Sequence, residues 1–446
     1  MIMDQIFVFL SFEGPDQYSR AGGLATRVTE LSSGLAAMGF ETHVFYVGDP
    51  ELPGYEVRQG GRLHLHRWCQ WVSRYHPGGV YDGEEGKLWE WDHSLPLWLE
   101  TQLLEPLLAR GGQVLIMAEE WQTARSVIDL ARILDRRGWR HRIKLLWNAN
   151  NTFSFHRIDW VRLSQAAVIT TVSRYMKHEL ARYEVDAQVI PNGIPEDWFE
   201  PIEPGLAGRF RRLFRERTAL VKVARWDPDK GWMGAVDSVA QLKQQGLRPL
   251  LLARGGREPY GVEVIHRAHQ RGLTVASISH VGQDCASLLE AVAEGTPADM
   301  LVIHPVLSKQ QCRILFHTAE AALANSGIEP FGLVGLETMA SGGVAFVGCT
   351  GEDYATPGFD SIMLQTDHPE EIAYHVTNLH SSPERASGLR LAAQQSAARY
   401  TWPSVVERVL RPALNQLGVP MAASPQAPNV RGSPSPPHVV GKRMTV

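Results

Sequence analysis

Residues 329–343 read E-P-F-G-L-V-G-L-E-T-M-A-S-G-G and are the most decisive stretch for the fold. Pro is tolerated in a first helical turn and Gly permits close backbone approach, so we expect a helix from Leu333 to Ala340. Glu329 then lies in the preceding loop, and Glu337 lies one or two turns into the helix. The free N–H groups of the first turn favour an anion between them. A diphosphate with polyols on both sides, as in a nucleotide sugar, fits this arrangement.

A second motif lies upstream, where residues 221–231 read V-K-V-A-R-W-D-P-D-K-G. We expect a strand that ends at Arg225, a turn, and a helix that opens at Gly231. Lys230 then lies near a helix N-terminus, where a cation is unfavourable by about 0.3–1 kcal/mol unless an anion is bound. Arg225 and Lys230 both suit a diphosphate. The alternative is a pair of surface cations in weak ion pairs with the neighbouring aspartates.

Working outward, short apolar runs alternate with helix-like segments along the chain, as in parallel α/β sheets. The runs of the first series are residues 6–11, 42–47, 114–118, 143–147, 168–172 and 187–190. Those of the second series are residues 220–224, 249–253, 275–280, 300–304, 320–323 and 344–347. Two such series predict two doubly wound, Rossmann-like domains that face each other across a cleft, with ligands beyond the carboxyl ends of the strands.

The domain boundaries follow from Pro, Gly and Ser content. We assign residues 1–200 to an N-terminal Rossmann-like domain and residues 201–400 to a C-terminal Rossmann-like domain. Residues 401–418 are expected to form a helix that packs back towards the N-terminal domain. Residues 419–446 are Pro/Ser-rich with few large apolar side chains, which predicts a disordered tail.

Composition excludes several classes of protein. The chain has 446 residues, 44% of them hydrophobic, and a formal net charge of −4, which gives no reason to expect nucleic acid as a partner. The four cysteines form no C-x-x-C pair, so we expect reduced thiols and a cytoplasmic protein. No stretch approaches the ~18 apolar residues of a membrane span, although peripheral membrane contact stays open.

The two motifs together resemble the retaining glycosyltransferases of family 4, which have the two-domain GT-B fold and include glycogen synthases and sucrose synthases. Residues 190–194, I-P-N-G-I, and residues 21–24, A-G-G-L, also match that family, as does the Val172-Ser173 pair. The resemblance spans residues 5 to 415, and it implies that residues 1–200 form the acceptor domain and residues 201–400 the nucleotide-sugar donor domain.

This resemblance implies a role for each matching residue. Arg225 and Lys230 would bind the donor diphosphate and stabilise the leaving group. Glu337 would hold the ribose hydroxyls, and Glu329 would contact the transferred sugar near the reacting carbon. The remaining donor contacts would come from the backbone of Gly22, Gly23, Gly332, Leu333 and Val334. No cofactor is expected, since the family usually neutralises the diphosphate with protein groups rather than a metal.

The chain departs from the family in its N-terminal half. Many members have a His at the end of a strand, where this sequence has Asn148 followed by Asn150 and Asn151. These asparagines are candidate sugar contacts that cannot titrate, or simply a polar turn. Glu120 lies where relatives often have His-Asp-Trp. It is a candidate acceptor contact or a solvated carboxylate at a strand end.

An aromatic-rich segment is a further candidate for acceptor binding. Five of the 13 tryptophans lie within residues 68–98, and Trp89 is the candidate that we single out. The glycines of this segment suggest loops, and the alternative is internal packing. His64 and His66 alternate on an expected strand, and we expect ordinary surface histidines rather than a metal site.

From these observations we expect an enzyme that transfers a hexosyl group from a nucleoside diphosphate sugar to a glycan or small hydroxyl acceptor. Two alternatives stay open. The first is an epimerase or phosphorylase on the same fold, which would be distinguished by its products. The second is a non-catalytic protein that binds sugar nucleotides, which would be distinguished by a lack of turnover.

Overall fold

The computed structural model describes residues 5–419 and residue 421. Eight strands form the first sheet: β1 (Gln5–Leu10), β2 (Glu41–Val47), β3 (Tyr55–Arg58), β4 (Leu63–Trp68), β5 (Gln113–Glu119), β6 (Ile143–Ala149), β7 (Val168–Thr171) and β8 (Gln188–Val189). Their order is β3-β4-β2-β1-β5-β6-β7-β8, and all pairs are parallel except β3 with β4. The helices of this part are α1 (Gly23–Ala37), α2 (Gln70–Ser73), α3 (Glu84–Trp98), α4 (Glu105–Ala109), α5 (Ala124–Arg137), α6 (Trp160–Ala166) and α7 (Arg174–Ala181).

The second sheet has seven parallel strands: β9 (Thr218–Val223), β10 (Pro249–Arg254), β11 (Val275–Ile278), β12 (Met300–Ile303), β13 (Ala321–Ala324), β14 (Ala345–Val347) and β15 (Ile362–Met363). Their order is β11-β12-β10-β9-β13-β14-β15. The helices that follow the first sheet are α8 (Pro204–Leu213), α9 (Trp232–Gln244), α10 (Tyr260–Gln270), α11 (Cys285–Gly295), α12 (Lys309–Thr318), α13 (Leu333–Ala340), α14 (Pro369–Ser381), α15 (Pro383–Ala397), α16 (Trp402–Val405) and α17 (Arg411–Gln416).

The expected fold class, two doubly wound α/β sheets, is confirmed. Every residue of β1 is buried, as is typical of a central parallel strand that helices cover on both faces. The edge strands β3 and β15 were not predicted, because short edge strands carry little apolar signal. The expectation of loops in the aromatic-rich segment is wrong for residues 84–98, which form the continuous helix α3.

The end of the chain returns to the first sheet. Ile194 forms a β-bridge with Thr401, and the N–H of Trp402 donates to the carbonyl of Ile194 at 3.1 Å. A π-helical stretch, Val406–Leu410, joins α16 to α17, and these helices pack in the same hydrophobic core as Leu31 and Leu35 of α1. The predicted tail falls largely on residue 420 and residues 422–446, which lie outside the described residues, while Val419 and Met421 are buried.

The carboxyl ends of the two sheets face each other. Arg174 directly follows the strand-end pair Val172-Ser173, and it donates from its N–H and its Nε to the carboxylate of Asp353 at 2.8 and 3.0 Å. Leu333, at the start of α13, lies close to Gly23, at the start of α1. If Gly23 carried a Cβ atom, that atom would be 4.0 Å from the Leu333 Cδ1. The starts of α1 and α13 therefore meet across the cleft.

Within the described residues, no helix is long and apolar enough to cross a membrane. All four cysteines are free thiols.

Candidate active site

Lys230 and Glu329, predicted from separate motifs, form an ion pair. Lys230 ends a single 3₁₀ turn after β9, and Glu329 lies in the loop between β13 and α13. The Lys230 Nζ is 2.6 Å from the Glu329 Oε2, and both side chains are about one-fifth exposed, at 21% and 20%. The structure therefore brings the two motifs together at the carboxyl edge of the second sheet.

The loops that carry this pair are tied to each other through their backbones. The Asn325 amide donates to the carbonyl of Gly231 at 3.1 Å, and the N–H of Gly327 donates to the carbonyl of Asp229 at 2.9 Å. Gly231 has φ 63°, and a Cβ there would overlap the Asn325 carbonyl. Only glycine suits this position, because it combines a left-handed backbone with close packing.

Lys222 supports the same loop from inside the sheet and was missed by the sequence analysis. Its ammonium donates to the Asn325 Oδ1 at 2.5 Å and to the Leu323 carbonyl at 3.1 Å. Burial lowers its pKa to about 7, as does the charge of Lys230, whereas the charge of Glu329 opposes the shift. A lysine within the apolar run T-A-L-V-K-V was the only signal for it.

Arg225 does not join this cluster. Its side chain is 62% exposed and lies 3.7 Å from Asp227, which is the weak surface ion pair of the alternative interpretation. Strand β9 ends at Val223, two residues before the expected end at Arg225, so this exposed guanidinium lies in the loop beyond the carboxyl end of the strand. Its diphosphate role stays a prediction.

Helix α13 begins as predicted. Gly332 caps it in the left-handed conformation, with φ 73°, and its carbonyl accepts from the Tyr354 hydroxyl at 2.5 Å. No side chain caps the helix N-terminus, so the first-turn N–H groups of Leu333 and Val334 stay available to an anion.

Glu337 lies one turn further on, half-buried. Burial raises its pKa to about 7, while the charge of Lys309 opposes the shift.

Glu352 is a third carboxyl group at this helix start and was also missed. It is buried, and its Oε2 accepts from the N–H of Thr350 at 3.1 Å. Its Oε1 has no hydrogen-bond partner among the described residues and lies 3.3 Å from a Cβ built on Gly332. Burial raises its pKa to about 7. No motif around residue 352 could have revealed it.

The glycine turn at the start of α1 is already occupied by a carboxylate. The Glu13 Oε2 accepts from the N–H groups of Ala21, Gly22 and Ala25 at 3.1, 2.9 and 3.2 Å. The Tyr81 hydroxyl donates to the Glu13 Oε1 at 2.6 Å. The N–H of Gly22 therefore serves this internal bond, and Gly23 is the turn residue that faces Leu333.

Asn148 belongs to a buried network. Its amide donates to the Glu119 Oε2 at 2.8 Å, as does that of Asn150 at 2.7 Å. The Glu119 Oε1 pairs with the Arg27 Nε at 3.1 Å, and neither side chain is exposed. The Thr170 hydroxyl donates to the Asn148 Oδ1 at 2.9 Å. The residue that replaces the family's His thus holds β5, β6 and β7 together, and sugar contact by Asn148 stays a prediction.

Glu120 is not the solvated carboxylate that was expected. It is 3% exposed, and its Oε1 accepts from the N–H groups of Asn150 and Asn151 at 2.6 and 3.2 Å. Burial raises its pKa to about 8. The Asn151 side chain accepts in turn from the N–H of Phe153 at 2.7 Å. These contacts shape the turn after β6.

The aromatic-rich segment divides into two groups. Trp91 is fully buried, and the Trp68 indole donates to Ser94 at 2.8 Å, so these residues pack internally. Trp71 and Trp89 are 63% and 66% exposed. Packing therefore accounts for part of the segment, and Trp89 remains available to a ligand.

The histidines on β4 are not ordinary surface residues, which corrects that expectation. His66 is buried, and its Nε2 is 3.1 Å from the His43 Nδ1. Glu41, His43 and His64 hold possible ligand atoms within 4.8 Å of one another. The His43 and His64 rings stack at 4.4 Å and 11°, so their in-plane nitrogens cannot converge on one ion. The cluster fits a hydrogen-bonded stack better than a metal site.

A family model matches part of the N-terminal half of the chain. Residues 21–198 match the family model described as Glycosyltransferase Family 4. No curated protein sequence matches the chain.

Several solved structures resemble the whole chain. Sucrose-phosphate synthase from Thermosynechococcus elongatus is 16% identical with a TM-score of 0.63, over 93% of this chain and 99% of that one. Anabaena HepE in complex with UDP is 14% identical with a TM-score of 0.59, over 93% and 100%. A UDP-forming α,α-trehalose-phosphate synthase from Burkholderia xenovorans, in complex with glucose-6-phosphate, is 14% identical with a TM-score of 0.60, over 91% and 99%. These likenesses confirm the GT-B fold.

Proposed function

We propose that this chain, a GT-B glycosyltransferase of the family 4 type, transfers a hexosyl group from a nucleoside diphosphate sugar to a carbohydrate or other hydroxyl acceptor, with retention at the anomeric carbon. One observation carries the proposal. The Lys230–Glu329 pair lies in the loops beside an α13 N-terminus that no side chain caps. A diphosphate gains from both the cation and the helix N–H groups.

The donor would lie along this edge of the second sheet. Its diphosphate binds Lys230, Arg225 and the N–H groups of Leu333 and Val334, while Glu337 accepts the ribose hydroxyls. Glu329 accepts a hydroxyl of the transferred sugar and orients Lys230. The complexes of two structural relatives, one with UDP and one with glucose-6-phosphate, support a nucleotide donor and a sugar-like acceptor.

Retention is best explained by front-face substitution. The bond from the anomeric carbon to the phosphate oxygen breaks, the acceptor oxygen bonds to the same face, and its proton passes to the departing phosphate oxygen. A double displacement needs a free carboxylate nucleophile. Glu119 and Glu120, the carboxylates at the end of β5, are both engaged in internal hydrogen bonds. Lys230 and Arg225 would stabilise the leaving diphosphate without a metal.

The first experiment identifies the donor. Thermal shifts with UDP-, GDP- and ADP-sugars select the nucleotide, because a ligand that binds only the folded state raises Tm. Transfer is then measured with that donor and a panel of hydroxyl acceptors, and NMR assigns the anomeric configuration of the product. An inverted product would refute the mechanism. Isomerised sugar released without an acceptor would favour the epimerase alternative.

The second experiment tests the lysine. Lys230→Ala should lower kcat/KM by at least a hundredfold, which corresponds to about 2.7 kcal/mol of lost transition-state stabilisation. Lys243→Ala is the matched control, since Lys243 forms a similar pair with Asp299 at 2.7 Å but lies in the last turn of α9, at the end opposite to Lys230. Wild-type turnover in Lys230→Ala would overturn the diphosphate assignment.

A further inference from the structure

Helices α3 and α5 border a groove of about 620 Å³ beyond the end of β5, distinct from the Lys230–Glu329 site. We call it the α3/α5 groove. The residues that carry the inference are Trp89, Asp92, Trp121, Gln122 and Arg157.

An exposed aromatic face forms one wall of the groove. The Trp89 ring stacks on His93 with centroids 4.6 Å apart and planes at 25°, and 66% of the residue stays exposed. A second aromatic residue of the lining, Trp121, is covered by the Arg157 guanidinium at 4.1 Å from the ring centroid. A fixed, exposed indole with one free face is suited to stack on the C–H face of a sugar ring.

Three residues that line the groove carry buried polar atoms without a hydrogen-bond partner. The Trp121 Nε1, the Gln122 Oε1 and the Asp92 Oδ1 have no hydrogen-bond partner among the described residues. Trp121 and Gln122 are more than nine-tenths buried, at 7% and 4% exposure. One of these atoms is a donor and two are acceptors when Asp92 is ionised. A hydroxyl group can both donate and accept, so it suits either kind of atom.

The charges along the groove cancel, which points to a neutral ligand. Each arginine has an acidic neighbour within the same wall: Arg125 with Asp92 and Asp129, Arg132 with Asp129, Arg157 with Glu85, and Arg162 with Asp159. An anionic ligand would have to displace these carboxylates from the arginines. A neutral ligand leaves the pairs intact.

The groove adjoins the wall of the cleft. The Gln122 amide donates at 3.0 Å to Glu84, the first residue of α3. Three residues earlier, Tyr81 donates to Glu13, which holds the start of α1. We propose that the α3/α5 groove binds a neutral oligosaccharide, as the part of a glycan acceptor remote from the reacting hydroxyl. This inference rests on the proposed glycosyl transfer.

The test measures sugar binding without the donor. Neutral gluco-, manno- and galacto-oligosaccharides, and acidic hyaluronan oligosaccharides, are titrated into the full chain by calorimetry. Trp89→Ala should weaken binding of a neutral oligosaccharide by about tenfold, as expected for loss of one aromatic stack. Trp71→Ala is the matched control, because Trp71 is equally exposed and also contacts the ring four residues on, Tyr75, but lies outside the groove.

Trp121→Phe provides a second variant that keeps the ring and removes only the unpaired N–H. It should weaken binding by about threefold to tenfold. The proposal is overturned if no neutral oligosaccharide binds the wild type, if acidic ones bind more tightly, or if Trp89→Ala and Trp71→Ala behave alike. The donor thermal shift, measured in the same samples, tests the proposed function separately, since it depends on the second sheet.

Discussion

Lys222→Met is the most informative change near the proposed donor site. Lys222 is 1% exposed, and its ammonium holds the loop that leads to Glu329. Its pKa is lowered to about 7 from 10.5, first by burial and then by the charge of Lys230. Near neutral pH it is therefore only partly protonated. A diphosphate bound at Lys230 adds negative charge nearby and should draw a proton onto Lys222.

The size of this effect can be estimated. With an effective dielectric constant of ~20, one negative charge about 8 Å away favours the charged lysine by about 2 kcal/mol, or roughly 1.5 pKa units. A shift of that size at pH 7.5 converts a minority of protonated lysine into a large majority. Donor binding should therefore take up roughly half a proton or more per molecule at this site.

Calorimetry of nucleoside diphosphate binding in phosphate and Tris buffers measures this uptake. The two buffers differ in ionisation enthalpy, so the difference between the two binding enthalpies gives the number of protons taken up. The wild type should exceed Lys222→Met by roughly half a proton or more at pH 7.5. The difference between the two proteins removes contributions from Glu337 and from the nucleotide itself. Equal uptake in both proteins would refute the reasoning. Lys243→Met, a lysine change away from the site, should match the wild type.

The same substitution has a defined effect on stability. The folded pKa of Lys222 lies below its unfolded value, so the unfolded chain binds more protons between about pH 7 and 10.5. The cost of burying the charge is therefore greatest below pH 7, and the free energy of unfolding rises with pH through this window. The full shift corresponds to at most about 5 kcal/mol. Lys222→Met should flatten this rise in urea unfolding measured at pH 6.5 and 9.

Three other outcomes are expected. Arg27→Met leaves the Glu119 carboxylate buried without its cation, so it should lower the free energy of unfolding in urea by about 3–5 kcal/mol. The double variant Arg27→Met, Glu119→Gln should recover much of that loss. A loss under 1 kcal/mol in the single variant would contradict the network. Gly231→Ala should weaken donor binding and should lower Tm more than the control Gly246→Ala. Gly246 also has a positive φ, but the space around it is open. Equal effects of the two substitutions would contradict the packing argument. In the Lys222→Met background, which removes the opposing proton uptake at Lys222, donor Kd should tighten as pH rises through about 7, because ionised Glu337 accepts hydroxyls better. Adding Glu337→Gln to that background should remove this dependence, and an unchanged dependence would exclude Glu337.

The sequence predicted the parts of the site that depend on local patterns. The strand ends, the opening of α13 at Leu333 and the turn before Gly231 follow from turn residues and apolar runs next to them in the chain. The placement of Lys230 and Glu329 in one cluster followed because both motifs end strands of the same parallel sheet. The β3 and β15 edge strands and the α3 helix were missed, because their residues lack a distinctive apolar period.

The environments of single side chains were not predictable from the sequence. Asn148 lies at the end of β6, and Glu120 and Glu13 lie shortly after β5 and β1. All three are polar residues at strand ends, yet each is buried against groups from distant segments. Glu352 and Lys222 carry no motif at all, and their shifted pKa values arise from burial.

The sequence by itself determined the two-sheet fold and the cation and carboxylates of the donor edge, since periodicity and turn chemistry are local properties. Only the tertiary structure decided which of these groups are free to act. Burial and hydrogen bonding are set by contacts between distant segments. Those contacts engage the carboxylates of Glu13, Glu119 and Glu120 in internal hydrogen bonds. They leave the α13 N-terminus and one face of Trp89 accessible to a ligand.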